Sequence, residues 1–195
     1  MEVNGYKIES GADLSGADLT KVNLSGANLS KANLSKANLT KANLTKANLS
    51  YADLTGADLT GSNLSKLKGI QTNFYKASLS HADLIKAVIE GCFMSYADLS
   101  YADLYRADLT YANLTYANLT GANFHLAKLT DAKMGGATMP DGSIYPEDDA
   151  AGGRGGSSSA SGRNGSGGGS GGGSSASGRN DSGGGPGDDE QTDQN

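Results

Sequence analysis

The stretch ANLTKANLSYADLTG, residues 42–56, repeats a five-residue phrase three times, and the phrase continues in both directions. From Leu14 in steps of five to Met139 there are 26 positions, filled by 19 Leu, 3 Met, 2 Phe, Ile89 and Gly69. Only Gly69 brings no apolar side chain. Two residues earlier runs a second column, Ala at 21 of 26 places, with Val22, Ser62, Leu67, Thr72 and Cys92 as the exceptions. Asn or Asp mostly stands between the columns, and Ser or Thr mostly follows the Leu.

An α-helix cannot use this pattern, because Leu residues five apart rotate by about 140° each time and scatter around the cylinder. A straight strand fails as well, since a side-chain period of two sends alternate Leu residues to opposite faces. The chain must therefore turn a corner in every repeat. Within a repeat, Ala and Leu are two apart and point the same way, inward. Corners near 90° close a square after four repeats, and coils stacked at about 4.8 Å give about six and a half turns, roughly 31 Å tall. The expected class is all-β, a four-sided parallel β-helix.

The 195 residues are 36% hydrophobic and 6% aromatic with 29 Gly, too little for a conventional layered core. The net charge of -5 is unevenly placed. Residues 12–139 hold 11 Lys and Arg106 against 9 Asp and Glu90, a net of +2, so the acid lies outside the repeats. Cys92 stands alone, which excludes an intrachain disulfide framework and a Cys-cluster zinc site, and fits a reducing compartment. The opening MEVNGYKIES has no apolar signal core, and no run approaches the roughly 20 apolar residues of a membrane-spanning helix. A cytoplasmic location with no membrane partner is expected.

Units such as ADLSG (12–16), ANLTK (42–46) and ADLTG (52–56) resemble the pentapeptide-repeat family, over about two thirds of the chain. The segment ATMPDGSIY (137–145) is similar to the closing segment of many bacterial, notably cyanobacterial, members. The resemblance implies a right-handed quadrilateral β-helix. It also implies two properties of some relatives: dimers joined at their C-terminal coils, and inhibition or protection of type II topoisomerases such as gyrase by imitation of duplex DNA. A near-neutral body bearing eleven Lys is a poor imitation of phosphate, and the C-terminal dimerisation helix of some such relatives is not evident.

The chain divides into an N-terminal cap (1–11, with Val3, Tyr6 and Ile8), the repeat β-helix (12–139), and a C-terminal closure (140–149), which draws on Met139, Pro140, Ile144 and Tyr145. Residues 150–195 contain 17 Gly and 10 Ser and carry SSASGRN twice, at 158–164 and 174–180, so a disordered tail is expected there. Inside the coil, Phe74 is expected to fill the vacancy left by Gly69. Cys92, in the Ala column, reads as a small buried core residue.

Any function must lie in the outward columns, where residues twenty apart stack one coil above another. Lys46, Lys66, Lys86 and Arg106 form a basic stripe. Weak nucleic-acid binding is one reading of it, but Asp83 and Asp103 share the face and favour a solvated surface. Tyr51 and Tyr111 share one face, Tyr96 and Tyr116 the next, and Tyr101 a third. Exposed Tyr is favoured in binding surfaces, and stacked Tyr also stabilises adjacent strands. His81 and His125 fall on different faces and cannot converge on one metal or catalytic centre. No nucleophile elbow, P-loop or dinucleotide fingerprint is present. Sequons such as those at Asn23, Asn33 and Asn113 follow from the repeat itself. The expected function is a non-catalytic protein-interaction or scaffolding rod without a cofactor, its partner unknown.

Overall fold

The computed structural model describes residues 1–147; the end of the expected closure and the expected tail over 150–195 lie outside the described residues. Every parallel bridge joins a residue to the one twenty positions later, from Asp13↔Asn33 to Asn118↔Thr138. With a turn in each repeat of five, twenty residues make one four-sided coil. Side chains of the central column are buried from Leu14 to Leu119. Each fully buried Leu contributes about 1.5 to 3 kcal/mol.

One repeat, residues 32–36, shows what each position does. Asn33 donates its N–H to Ala12 O of the preceding coil at 2.9 Å, and Leu34 and Lys36 donate to Asp53 O and Thr55 O of the next at 2.7 and 2.9 Å. Ala32 closes the turn by donating to Leu29 O at 3.1 Å. The N–H of Ser35 is taken by Asn33 Oδ1 at 3.1 Å. All five donors of the repeat are thereby satisfied, as a packed solenoid requires. The Asn/Asp column is thus a column of side-chain turn caps. Its amides also bond along the stack, Asn33 Nδ2 to Asp13, Asn73 to Asp53 and Asn118 to Asp98, at 3.0 to 3.1 Å. The hydroxyl of Thr20 holds the Asp18 carboxyl, and that of Thr110 the Asp108 carboxyl, below the ordinary range.

The fifth position is the corner. All 26 corners from Gly11 to Gly136 have positive φ, and only eight of them are Gly. The other eighteen, mostly Lys and Tyr, lie between 52° and 63°. A positive φ at the third residue of the turn is the type II arrangement. No corner is Val, Ile or Thr, the residues for which this conformation is most hindered. Lys41→Gly is therefore expected to be neutral or to stabilise by up to about 1 kcal/mol, whereas Lys41→Val should cost about 1 to 2 kcal/mol. Urea unfolding of the two variants reads the difference, and equal midpoints would show that the corner imposes no steric choice.

The interior departs from the simple pattern around Gly69. A Cβ there would meet Ile89 Cγ2 and Thr72 Oγ1 at 3.2 Å and Leu67 Cδ2 at 3.3 Å. The space is thus taken by Leu67, from the small column of the same repeat, with Ile89 and Thr72 around it. Phe74 is fully buried, and the three atoms nearest that Cβ position belong to Ile89, Thr72 and Leu67 rather than to its ring. The reason is geometric: Leu67 and Gly69 lie two apart on one side of the square and point the same way, while Phe74 belongs to the next side.

At the N-terminal end, β1 (Glu2–Val3) and β2 (Tyr6–Lys7) form an antiparallel hairpin with Val3 opposite Tyr6, and Ile8 is buried in the core behind it. At the other end the chain folds back antiparallel on the last side, with Met139 N–H donating to Ser143 O at 2.7 Å and Tyr145 N–H to Ala137 O at 2.8 Å. Met139 and Tyr145 pack on the core, but Ile144, expected to help in closure, faces outward and is 62% exposed. Antiparallel pairing through Tyr145 and Ser143 places the residue between them on the opposite face. Among the described residues, the N–H groups of Phe124, Leu126, Leu129, Asp131 and Met134 have no backbone acceptor.

Candidate interaction surface

Corner side chains lean toward the next coil. Their direction shows at the glycines: a Cβ on Gly121 would fall 2.6 Å from the ring of Tyr101, and one on Gly136 would fall 2.5 Å from the ring of Tyr116. Each ring lies flat over the next coil's corner, which only glycine leaves free. Where that corner is itself aromatic, the rings stack: Tyr96 on Tyr116 at 5.1 Å and His81 on Tyr101 at 5.2 Å.

On one side of the square these rings meet others. Tyr75, in the Ser/Thr column, contacts Tyr96 edge-on at 6.0 Å. Phe93, 52% exposed, replaces the usual Asn or Asp. Phe93 has no oxygen to accept the Ser95 N–H, so this repeat gives up its turn cap for an exposed ring. Tyr75, Phe93, Tyr96 and Tyr116, with Asn73, Ser95 and Thr115, line an open groove of about 590 Å³. Beside it a smaller hollow of about 220 Å³ is lined by Thr115, Tyr116, Lys133, Gly135 and Glu147. Tyr116 OH donates to Glu147 Oε1 at 2.9 Å, and this bond to a carboxylate raises the phenol above its ordinary range. Lys76 Nζ lies 5.1 Å from the centre of the Tyr75 ring.

Of the tyrosines expected to mark a surface, only Tyr96 and Tyr116 belong to this groove. Tyr51 and Tyr111 share a corner column but stand three coils apart, with Gln71 and Gly91 between them. Tyr101 sits on a third corner against His81. Sequence reasoning missed Tyr75 and Phe93; the signal that could have found Phe93 is an aromatic residue in a capping column. Lys46, Lys66, Lys86 and Arg106 do occupy consecutive corners of one edge and are exposed. They are not a distinct patch, because Lys31, Lys36 and Lys41 complete a ring of lysines with Lys46 around a single coil. Arg106 lies over Tyr105 at 5.2 Å. Among the described residues, no cluster of His, Cys, Asp and Glu could hold a metal ion, and no helix is long and apolar enough to cross a membrane.

The family model for pentapeptide repeats matches in eight copies, over residues 10–45, 27–65, 72–110 and 107–141. The chain belongs to the pentapeptide-repeat family. The matched segments leave out the stretch holding Leu67 and Gly69, where the phrase is broken. Among solved structures, HetL, a pentapeptide-repeat protein involved in heterocyst differentiation regulation in the cyanobacterium Nostoc sp. strain PCC 7120, is 34% identical over 70% of this chain and 73% of its own, with a TM-score of 0.34. A second pentapeptide-repeat protein from Nostoc is 40% identical over 43% of this chain and 67% of its own, with a TM-score of 0.41. QnrB1, a plasmid-mediated fluoroquinolone resistance protein, is 17% identical over 67% of this chain and 87% of its own, with a TM-score of 0.34. No curated protein matches the sequence.

Proposed function

We propose that this pentapeptide-repeat protein is a cytoplasmic, non-enzymatic interaction module on a right-handed coil, and that it binds a protein partner through the groove of Tyr75, Phe93, Tyr96 and Tyr116. The observation that carries the reading is Phe93. At that place the repeat forgoes a turn cap and exposes an aromatic ring beside three tyrosines, a departure from local consistency of the kind expected at functional sites. Aromatic side chains in such clusters dominate interface energetics.

Capture from the source cell with the full chain, compared with Phe93→Asn and Tyr96→Ser, tests this. Phe93→Asn restores a residue type its column ordinarily carries, and each substitution is expected to weaken partner binding at least about tenfold. Tyr51→Ser and Tyr111→Ser, on another corner, should retain the partner. Equal loss from both pairs, or no specific partner, would count against the groove. The surface charge gives the DNA-imitation reading little support: nine corners are Lys or Arg and one, Asp131, is acidic.

A further inference from the structure

Asn and Asp both cap turns in this coil, but they show different atoms to solvent. The cap's Oδ1 is committed to the N–H two residues on, as Asn43 Oδ1 is to Thr45 and Asp53 Oδ1 to Thr55, both at 3.0 Å. What remains is an amide NH2 at Asn, which only donates, and a charged carboxylate oxygen at Asp, which only accepts. Over the first three coils this choice is sorted by side. The two sides formed by 12–20, 32–40 and 52–60 carry Asp13, Asp18, Asp53 and Asp58 against one cation, Lys36. The other two, formed by 21–31, 41–51 and 61–71, contain no Asp or Glu. Their caps are Asn23, Asn28, Asn43, Asn48 and Asn63, with Lys68 in the sixth place, and their corners bring Lys21, Lys31, Lys41, Lys46 and Lys66. We propose that these two sides bind the phosphate backbone of a DNA duplex, without regard to base sequence.

Three observations point to this partner. The first is charge. Lys21, Lys31, Lys41, Lys46, Lys66 and Lys68 are exposed, and the two ion pairs among the described residues, Lys7 with Glu9 and Lys128 with Asp108, use none of them. Asp83 and Asp103, which favour a solvated surface, lie on later coils, beyond the acid-free area. The second is hydrogen bonding. Lysines and outward amides donate, and phosphate oxygens only accept. Asn43 spends one amide hydrogen on Asn23 Oδ1 at 3.2 Å and keeps the other. The third is shape. Lys46 and Lys66 stand one coil apart on the corner where the two sides meet, with Asn43 and Asn63 on one flank and Asn48 and Lys68 on the other. A corner that donates from both flanks suits a groove bounded by two phosphate rows, such as the major groove, about 12 Å wide. A flat bilayer would meet one flank only. These sides carry no aromatic residue short of Tyr51 on their far corner, so they lack the stacking platform of single-strand binders. The aromatic groove runs along the diagonally opposite corner, at Tyr96 and Tyr116, and neither surface depends on the other.

Fluorescence anisotropy of a labelled, mixed-sequence DNA duplex titrated with the full chain tests this. Four to six lysine contacts imply that affinity falls about a hundredfold or more between about 50 and 200 mM salt. Lys66→Gln should weaken binding about threefold to tenfold and flatten the dependence of log affinity on log salt by about 1. Lys36→Gln makes the same change on the diagonally opposite corner, at a φ of 57° against 58°, and should leave both quantities unchanged. Asn43→Asp with Asn48→Asp keeps both caps and turns their outward ends acidic. Asn33 above Asp13 and Lys128 above Asp108 are precedents for the pairs this creates with Asn63 and Lys68. Binding should drop at least about tenfold. Absence of duplex binding at about 50 mM salt would overturn the proposal. Equal losses from Lys66→Gln and Lys36→Gln would also overturn it, by assigning the attraction to net charge. Tighter binding of the single strand, or of vesicles containing phosphatidylserine, would overturn it as well and identify that anion as the partner.

Discussion

Gly69→Leu, which writes the commonest residue of the central column into its one vacant place, is expected to destabilise the coil by about 3 kcal/mol or more. Leu67, Ile89 and Thr72 already approach the position of its Cβ to within 3.3 Å, so the added side chain has no space that a buried neighbour does not hold. Leu67→Ala alone should cost about 2 to 5 kcal/mol by leaving a cavity. Together, the two substitutions restore the repeat's usual Ala and Leu, and the double variant is expected to return to within about 1 kcal/mol of the starting protein. Denaturation midpoints at unchanged slope give the comparison. If the two losses simply add, Leu67 is not what fills the space, and this account of the interior fails.

The same position shows what could be read in advance. The coil was legible because its interior accepts one residue type per column, and a period of five has no other way to bury two columns. Counting by column treats positions as independent and so passed over Leu67, which approaches the place of the missing side chain at Gly69 from the neighbouring column of the same repeat. The left-handed corners were hidden by their occupants: Lys46 or Tyr51 does not announce a positive φ as glycine does, and only the lack of β-branched residues there hints at it. Stacking at twenty-residue spacing predicted that Tyr96 and Tyr116 share a column. It could not predict Tyr75 against Tyr96, twenty-one residues apart, because that contact depends on corner side chains leaning into the next coil. Phe93 was overlooked because the chemistry of its column, capping the turn through an oxygen, emerges only from the hydrogen bonds.

Alkaline conditions should expose the second large effect, at Cys92. Its Sγ donates to Gly69 O at 2.8 Å in the closed interior, and burial pushes the thiol from its ordinary value of 9.0 up to about 12, with bonds involving Thr72 only partly opposing the shift. Below pH 9 the thiol is protonated in both folded and unfolded chains, and its pKa has no effect on stability. Between the two values the unfolded chain has released the proton while the folded chain keeps it, so the unfolded state binds fewer protons and stability falls as pH rises. The expected slope is about 1.4 kcal/mol per pH unit, approaching about 4 kcal/mol at the upper end. Tyr and Lys titrate in the same window, so the measurement is the difference from Cys92→Ala, the residue its column ordinarily carries. The missing hydrogen bond in that variant contributes a constant offset, whereas the thiol contributes a difference that turns downward only above about pH 9. A difference that stays flat to about pH 11 would mean that Cys92 ionises in the folded coil, which a sealed Ala–Leu interior does not permit.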